Sequence, residues 1–289
     1  ARNTIQGDSI HRLIRYPGKQ AVPCPAQTER TWVLFISGQS NSANHAGQRH
    51  ATQHGDQVLN YFDGQCYLAQ SPLLGATGLE GESWTLLGNL AIEQGLADRI
   101  IISTNGVGGS SIEQWQQNPP FYQGMQRALD SLQKNYRITH MLWHQGESDF
   151  IKQMSAEQYQ QRFNAMLDKV EMISLMLDCE GRITYCNDYL LRLTGWQRDE
   201  VFGRNWFELF VPPELGDVRS VFADVFADRP SAWHYDNEIL TRSGERRLVH
   251  WNNTVLRSVG GQVAGVAALG EDITARRDAE RRIKRQLQQ

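Results

Sequence analysis

Short apolar runs alternate with helix-period stretches through the first 170 residues. Residues 32–36 (WVLFI) form a continuous apolar run of strand length, and 58–62, 100–103 and 139–143 read as further strands. The spacing predicts helices over 84–96, 125–136 and 155–170. In the last of these Ser155 is placed to cap the helix, and Tyr159, Phe163, Met166, Leu167 and Val170 fall on one face. Strands that alternate with helices predict a parallel sheet covered by helices.

Beyond residue 170 the pattern becomes antiparallel. Residues 173–177 and 183–185 are strand-like around the turn Asp178-Cys179-Glu180-Gly181. Short helices and a longer one over 218–226 follow, then strand-like runs over 237–241, 246–257 and 262–270. The joints Ser243-Gly244-Glu245 and Gly260-Gly261 suit hairpin turns. Two strands, helices and three strands make an α+β plan, with the junction near Val170.

A chain of 289 residues has room for two domains, and 40% apolar with 21% charged residues is a globular composition. No apolar run approaches the roughly 20 residues that span a bilayer. The sequence begins at Ala1 with no signal-type segment, which is compatible with a mature or trimmed product. The 29 basic and 32 acidic residues leave a net −3, which does not point to a nucleic-acid partner. The last 15 residues carry five Arg and one Lys against one Asp and one Glu, a local +4 that reads as a solvated helix. Cys24, Cys66, Cys179 and Cys186 lack CxxC spacing, so no zinc or other metal site is expected and they do not fix the compartment.

The candidate chemistry sits where strands end. The first strand runs into Gly38-Gln39-Ser40-Asn41-Ser42, the third into TNGVGGSSIEQW from Thr104, and the fourth into WHQGESD from Trp143. Three polar, glycine-rich loops at the carboxyl edge of one sheet would converge on a crevice, where open α/β folds place their sites. A serine hydroxyl there, beside free backbone N–H groups, suits acyl transfer.

GQSN around Ser40, GGSSIEQW from Gly108 and WHQGESD resemble the SGNH-type sialate O-acetylesterase-like carbohydrate esterases, over roughly residues 30–170. The resemblance implies a flavodoxin-like α/β sheet and hydrolysis of acetyl esters on sugars. It makes Ser40 the nucleophile and assigns the oxyanion hole to Ser40, Gly109 and Gln145. Gln39, Asn41, His144 and Glu147 are the expected substrate or supporting residues.

A serine nucleophile needs a base, normally a histidine held by a carboxylate. The resemblance places it in a late Asp-x-x-His segment, after residue 170, where the sequence has changed character. Among the eight histidines only His11 has an aspartate three residues earlier, Asp8, and that pair precedes the first strand. His45, His50 and His54 lie in the loop after Ser40 without that spacing, and His250 is expected at the surface of the second domain. The triad is therefore expected to be incomplete and the domain truncated in its sheet.

From about Glu171 the segments ISLMLDCEGRITYCNDYLLRLTGW, EVFGRNWFELFVPPE, NEILTRSGERRLVHWNN and GEDITARRDAERR resemble a PAS domain with its PAC part. The resemblance implies a five-stranded antiparallel sheet and a sensory or dimerising role. Trp206 stands where flavin-binding members carry a reactive cysteine, which argues against a cysteinyl–flavin adduct. No histidine lies in residues 214–228 to hold haem, and His234 is poorly placed for it.

The expected organisation is an esterase-like domain over 1–170, a PAS domain over 171–277 and a linker helix over 278–289. The expected function is a serine ester hydrolase-type domain, weak or inactive toward acetylated carbohydrate, fused to a PAS sensor that can form a homodimer. The alternative is an active acetylesterase whose base is a histidine outside the family pattern. No cofactor is expected. The PAS half favours the cytoplasm, and the esterase resemblance would suit secretion or the periplasm.

Overall fold

The computed structural model describes residues 4–227 and 229–287. The chain divides into two compact units, 1–166 and 167–289.

The first unit is built on a six-stranded mixed sheet. Its strands are β3 (Ala21–Val22), β4 (Thr31–Gly38), β5 (Val58–Phe62), β6 (Gln65–Leu68), β7 (Arg99–Thr104) and β8 (His140–His144), in the order β3-β6-β5-β7-β4-β8. The four strands β5, β7, β4 and β8 run parallel, and β6 and β3 add an antiparallel edge. A short pair, β1 (Gln6–Gly7) and β2 (Leu13–Arg15), forms the N-terminal arm. The helices are α1 (Trp84–Glu93), α2 (Ile112–Gln117), α3 (Pro119–Gln133), α4 (Glu147–Ile151) and α5 (Ala156–Lys169).

Strand β4 is buried almost throughout, because both of its faces are covered. Leu34 and Ile36 pack with Val58, Ile100, Ile102 and Ala91 of α1 on one face. Val33, Phe35 and Ile101 alternate to the other and are equally buried. Helix α3 starts at Pro119, earlier than the apolar period indicates, because prolines suit the first helical turn. Helix α5 opens as expected: Ser155 Oγ accepts from Gln158 N–H at 3.2 Å, and Gln158 Oε1 accepts from Ser155 N–H at 3.1 Å.

Cys24 and Cys66 form a disulfide across 42 residues. Nothing in their spacing pairs them. They meet because β3 lies against β6, with Val22 opposite Cys66.

The second unit has β9 (Ile173–Leu177), β10 (Ile183–Cys186), β11 (His234–Leu240), β12 (Arg246–Arg257) and β13 (Val263–Asp272), all antiparallel in the order β10-β9-β13-β12-β11. Helices α6 (Asp188–Thr194), α7 (Arg198–Val201), α8 (Trp206–Leu209), α9 (Asp217–Phe226) and α10 (Pro230–Trp233) connect the two halves of the sheet, and α11 (Thr274–Leu287) follows it. The three turns read from sequence close as hairpins: Asp178 N–H to Arg182 O, Thr241 N–H to Glu245 O and Ser258 N–H to Gln262 O. Val218 and Phe222 of α9 pack with Val249 and Trp251, and Val225 packs with Val221, Phe226 and Val255.

His250 corrects an expectation. It is not a surface residue: it is 1% exposed, and its Nδ1 lies 2.5 Å from Asp236 Oδ1. Alternation along β12 fails to expose it because Asp236 of β11 packs against its ring, and Asp236 Oδ2 in turn accepts from Arg277 of α11 at 3.2 Å. Of the two free cysteines, Cys179 is exposed in its turn, and Cys186 is buried with its thiol pushed up to about 11 by desolvation.

Candidate active site

The ends of β4, β7 and β8 are stitched together by their backbones. Gln39 N–H donates to His144 O at 2.9 Å, Asn105 N–H to Ile36 O at 2.7 Å, and Val107 N–H to Gly38 O at 2.9 Å. Only glycine fits at 38: its φ is +132°, and a Cβ there would stand 2.1 Å from His144 O. The three glycine-rich loops therefore converge, and Ser40 opens a single helical turn, Ser40–Ser42, directly beyond β4.

Side chains complete the joint. Gln39 is buried, and its Oε1 accepts from Gln145 Nε2 at 3.2 Å and from the Gly146 and Ser148 N–H groups at 3.3 Å each. Gln145 Nε2 also donates to Ser110 O at 3.1 Å and to Asp149 Oδ2. Gln145 thus holds the second and third loops together, and in this arrangement its donors are engaged with protein acceptors. Asp149, 2% exposed, accepts from Ile112 N–H at 2.9 Å, at the first turn of α2. Asp149 lies in the WHQGESD segment, and its place between two loops is visible only in three dimensions.

Gly109 adopts φ +71°, and its N–H makes no hydrogen bond among the described residues. Its carbonyl accepts from Ser148 Oγ at 3.2 Å. Asn41 Nδ2 donates to Glu147 Oε1 at 2.6 Å, and His144 Nε2 lies 3.6 Å from the same oxygen. Asn41, Glu147 and His144 therefore form one polar chain beside Ser40, open to solvent.

No histidine is hydrogen-bonded to Ser40 Oγ among the described residues. His45 Nε2 is 3.0 Å from Thr77 Oγ1, which also accepts from Gly108 N–H at 2.7 Å. Burial lowers the His45 pKa, so its ring stays neutral and supports the Gly108 loop. His54 faces Glu93 at 3.7 Å. His50 lies beside Ser71, whose Oγ accepts from its backbone N–H at 2.9 Å. The N-terminal arm does fold back onto the sheet, yet it delivers Arg12 rather than His11. Asp8 Oδ2 is bonded to Arg12 at 2.6 Å, Arg12 Nη1 donates to Asn105, and His11 is exposed. Asp8 is thus engaged with an arginine and does not orient an imidazole.

Residues 30–173 match the family model described as carbohydrate esterase, sialic acid-specific acetylesterase, and residues 161–273 match the PAS fold. The chain joins a sialate-acetylesterase-like segment to a PAS domain. The two matches share residues 161–173, which run from α5 through residues 170–172 to the first residue of β9. Among solved structures, a PAS domain from Colwellia psychrerythraea is 21% identical, with 40% of this chain and 97% of that one covered and a TM-score of 0.34. A PAS domain of an HTR-like protein from Haloarcula marismortui is 19% identical, with 44% and 100% covered and a TM-score of 0.33. The N-terminal domain of a diguanylate cyclase with a PAS/PAC sensor from Marinobacter aquaeolei is 17% identical, with 37% and 98% covered and a TM-score of 0.32. No curated protein matches the chain. No described helix is long and apolar enough to cross a membrane.

Proposed function

We propose that the esterase-like unit is a serine ester hydrolase-type domain for acetylated carbohydrate, with Ser40 as nucleophile and no strong general base beside it. The observation that carries this reading is a joined set of loops in which Ser40 Oγ has no histidine partner among the described residues. The Gly109 N–H is free to stabilise an oxyanion, but an unactivated serine is a poor nucleophile near neutral pH. The finer fold is a flavodoxin-like one. The three strands that carry the motifs lie in the order β7-β4-β8, which matches the 2-1-3 start of that order, with β5 added outside.

Hydrolysis of p-nitrophenyl acetate and of an O-acetylated sugar tests this. The expected rate is low, and Ser40→Ala changes it by less than about tenfold, since a general base alone supplies roughly 10²–10⁴-fold. A fast rate that Ser40→Ala abolishes would overturn the reading and favour an active acetylesterase. His144→Ala would then test whether the His144–Glu147 pair supplies the base.

The PAS unit is proposed to act as a sensory or dimerising module without flavin adduct or haem. Trp206 supports this: its ring stacks on Phe210 at 4.3 Å and meets Trp251 edge-on at 5.6 Å. The cavity it borders, with Leu175, Phe222 and Asn253, is only about 50 Å³. An absorption spectrum of the 289-residue chain should show neither a Soret band nor a flavin band that bleaches in light. Either band would refute this part. The Cys24–Cys66 disulfide belongs with an oxidising compartment, which weighs against the cytoplasm that the PAS half alone favours.

A further inference from the structure

We propose that the esterase-like unit has a second ligand site, for one neutral sugar ring, at the carboxyl ends of β5 and β7. A cavity of about 270 Å³ opens there between the N-terminal arm, the β5–β6 turn, the end of β7 and α3. None of Gln39, Ser40, Gly109 or Gln145 lines it, so it is separate from the serine crevice.

The cavity is assembled around Arg12. Its guanidinium is held by Asp8, with Nε to Oδ2 at 2.8 Å and Nη2 to Oδ2 at 2.6 Å, and its Nη1 donates to Asn105 Oδ1. The guanidinium rests against α3 where Gly124 leaves room; a Cβ at 124 would lie 2.7 Å from Arg12 Nη2. This arrangement orients Asn105, which is fully buried, and leaves its Nδ2 without a partner. A buried donor left unpaired is costly unless something supplies an acceptor.

Charge selects the ligand class. Asp8 and Arg12 neutralise each other, and the exposed rim carries one further charge of each sign, Asp63 and Arg127. An anion or a cation gains no net attraction from such a lining, whereas a neutral polyol finds donors and acceptors together. Phe62 and Ile14 supply an apolar wall for the C–H face of a ring. The volume lies just under the roughly 300 Å³ at which pockets for drug-sized ligands begin, so one ring fits and an oligosaccharide does not. The choice of a sugar among neutral polyols leans on the carbohydrate-ester reading of the same unit; the site itself does not need Ser40 to act.

The 289-residue chain is titrated with glucose, galactose, xylose and N-acetylglucosamine, followed by saturation-transfer NMR and calorimetry. At least one should bind in the millimolar range. Ala128→Phe, which fills the cavity, should abolish binding. Asp63→Asn sits on an exposed turn and preserves the fold, and it should weaken binding about tenfold by removing a charged acceptor. Ser40→Ala should leave binding unchanged, and because no hydrolysis is read, a weak or absent esterase does not affect the result. Failure of all four sugars to bind would overturn the proposal. So would binding that survives both cavity variants, or binding that is lost in Ser40→Ala.

Discussion

Gly38→Ala will cost the esterase-like unit roughly 3 kcal/mol or more of stability. Two independent effects act in the same direction. The backbone at 38 has φ +132°, a conformation that L side chains rarely adopt. The added Cβ would also stand 2.1 Å from His144 O, a backbone atom that cannot swing aside as a side chain tip would. Relief requires β4 and β8 to part at their ends, which breaks the Gln39 N–H to His144 O bond and loosens Gln39 and Ser40. Gly47→Ala is the control: that glycine is exposed, has no positive φ and nothing within 4 Å, and should change stability by about 0.5 kcal/mol or less. Urea unfolding of the two variants measures both. A Gly38→Ala protein as stable as Gly47→Ala would mean that the strand ends do not meet as described.

The second large effect concerns acid. His140 stacks against Trp32 at 4.8 Å, its Nδ1 lies 2.8 Å from Thr139 Oγ1, and burial pushes its pKa down to about 4. The unfolded chain titrates this group near the ordinary 6.5, so between about pH 6.5 and 4 the unfolded state binds more protons. The contribution is therefore fully present above pH 6.5 and is lost as the pH falls toward 4. Moving from about pH 7.5 to 5 should remove on the order of 2 kcal/mol from the first unit. His45, also lowered by burial, acts with the same sign. His140→Gln should flatten the pH dependence without removing it. Equal stability at both pH values, or an unchanged dependence in His140→Gln, would refute the assignment.

Much of this protein was legible one-dimensionally because its elements are strongly periodic. The run 32–36 is so apolar that only a strand covered on both faces can hold it, and it is the centre of β4. The turns at 178–181, 243–245 and 260–261 carry their own chemistry, so the antiparallel half could be placed from residue types alone. That the segments around Ser40, Gly109 and Gln145 are loops was likewise legible, since glycine and small polar residues end each apolar run.

What tertiary structure decided is whatever depends on which distant segments touch. Cys24 reaches Cys66 only through the pairing of β3 with β6. His250 is buried against Asp236 of the neighbouring strand, which Arg277 of α11 also bonds, and periodicity along one strand cannot register contacts made by other segments. The spacing singles out Asp8 and His11, yet folding seats Arg12 against Asn105 and Gly124 and leaves His11 exposed. The motif marks Gln145 as an oxyanion donor, and the three-dimensional arrangement adds that its amide ties two loops together. Local pattern determines what an element is, because it depends on neighbours three or four residues away. The identity of the group that completes a site depends on contacts across tens of residues, and only the folded chain supplies those.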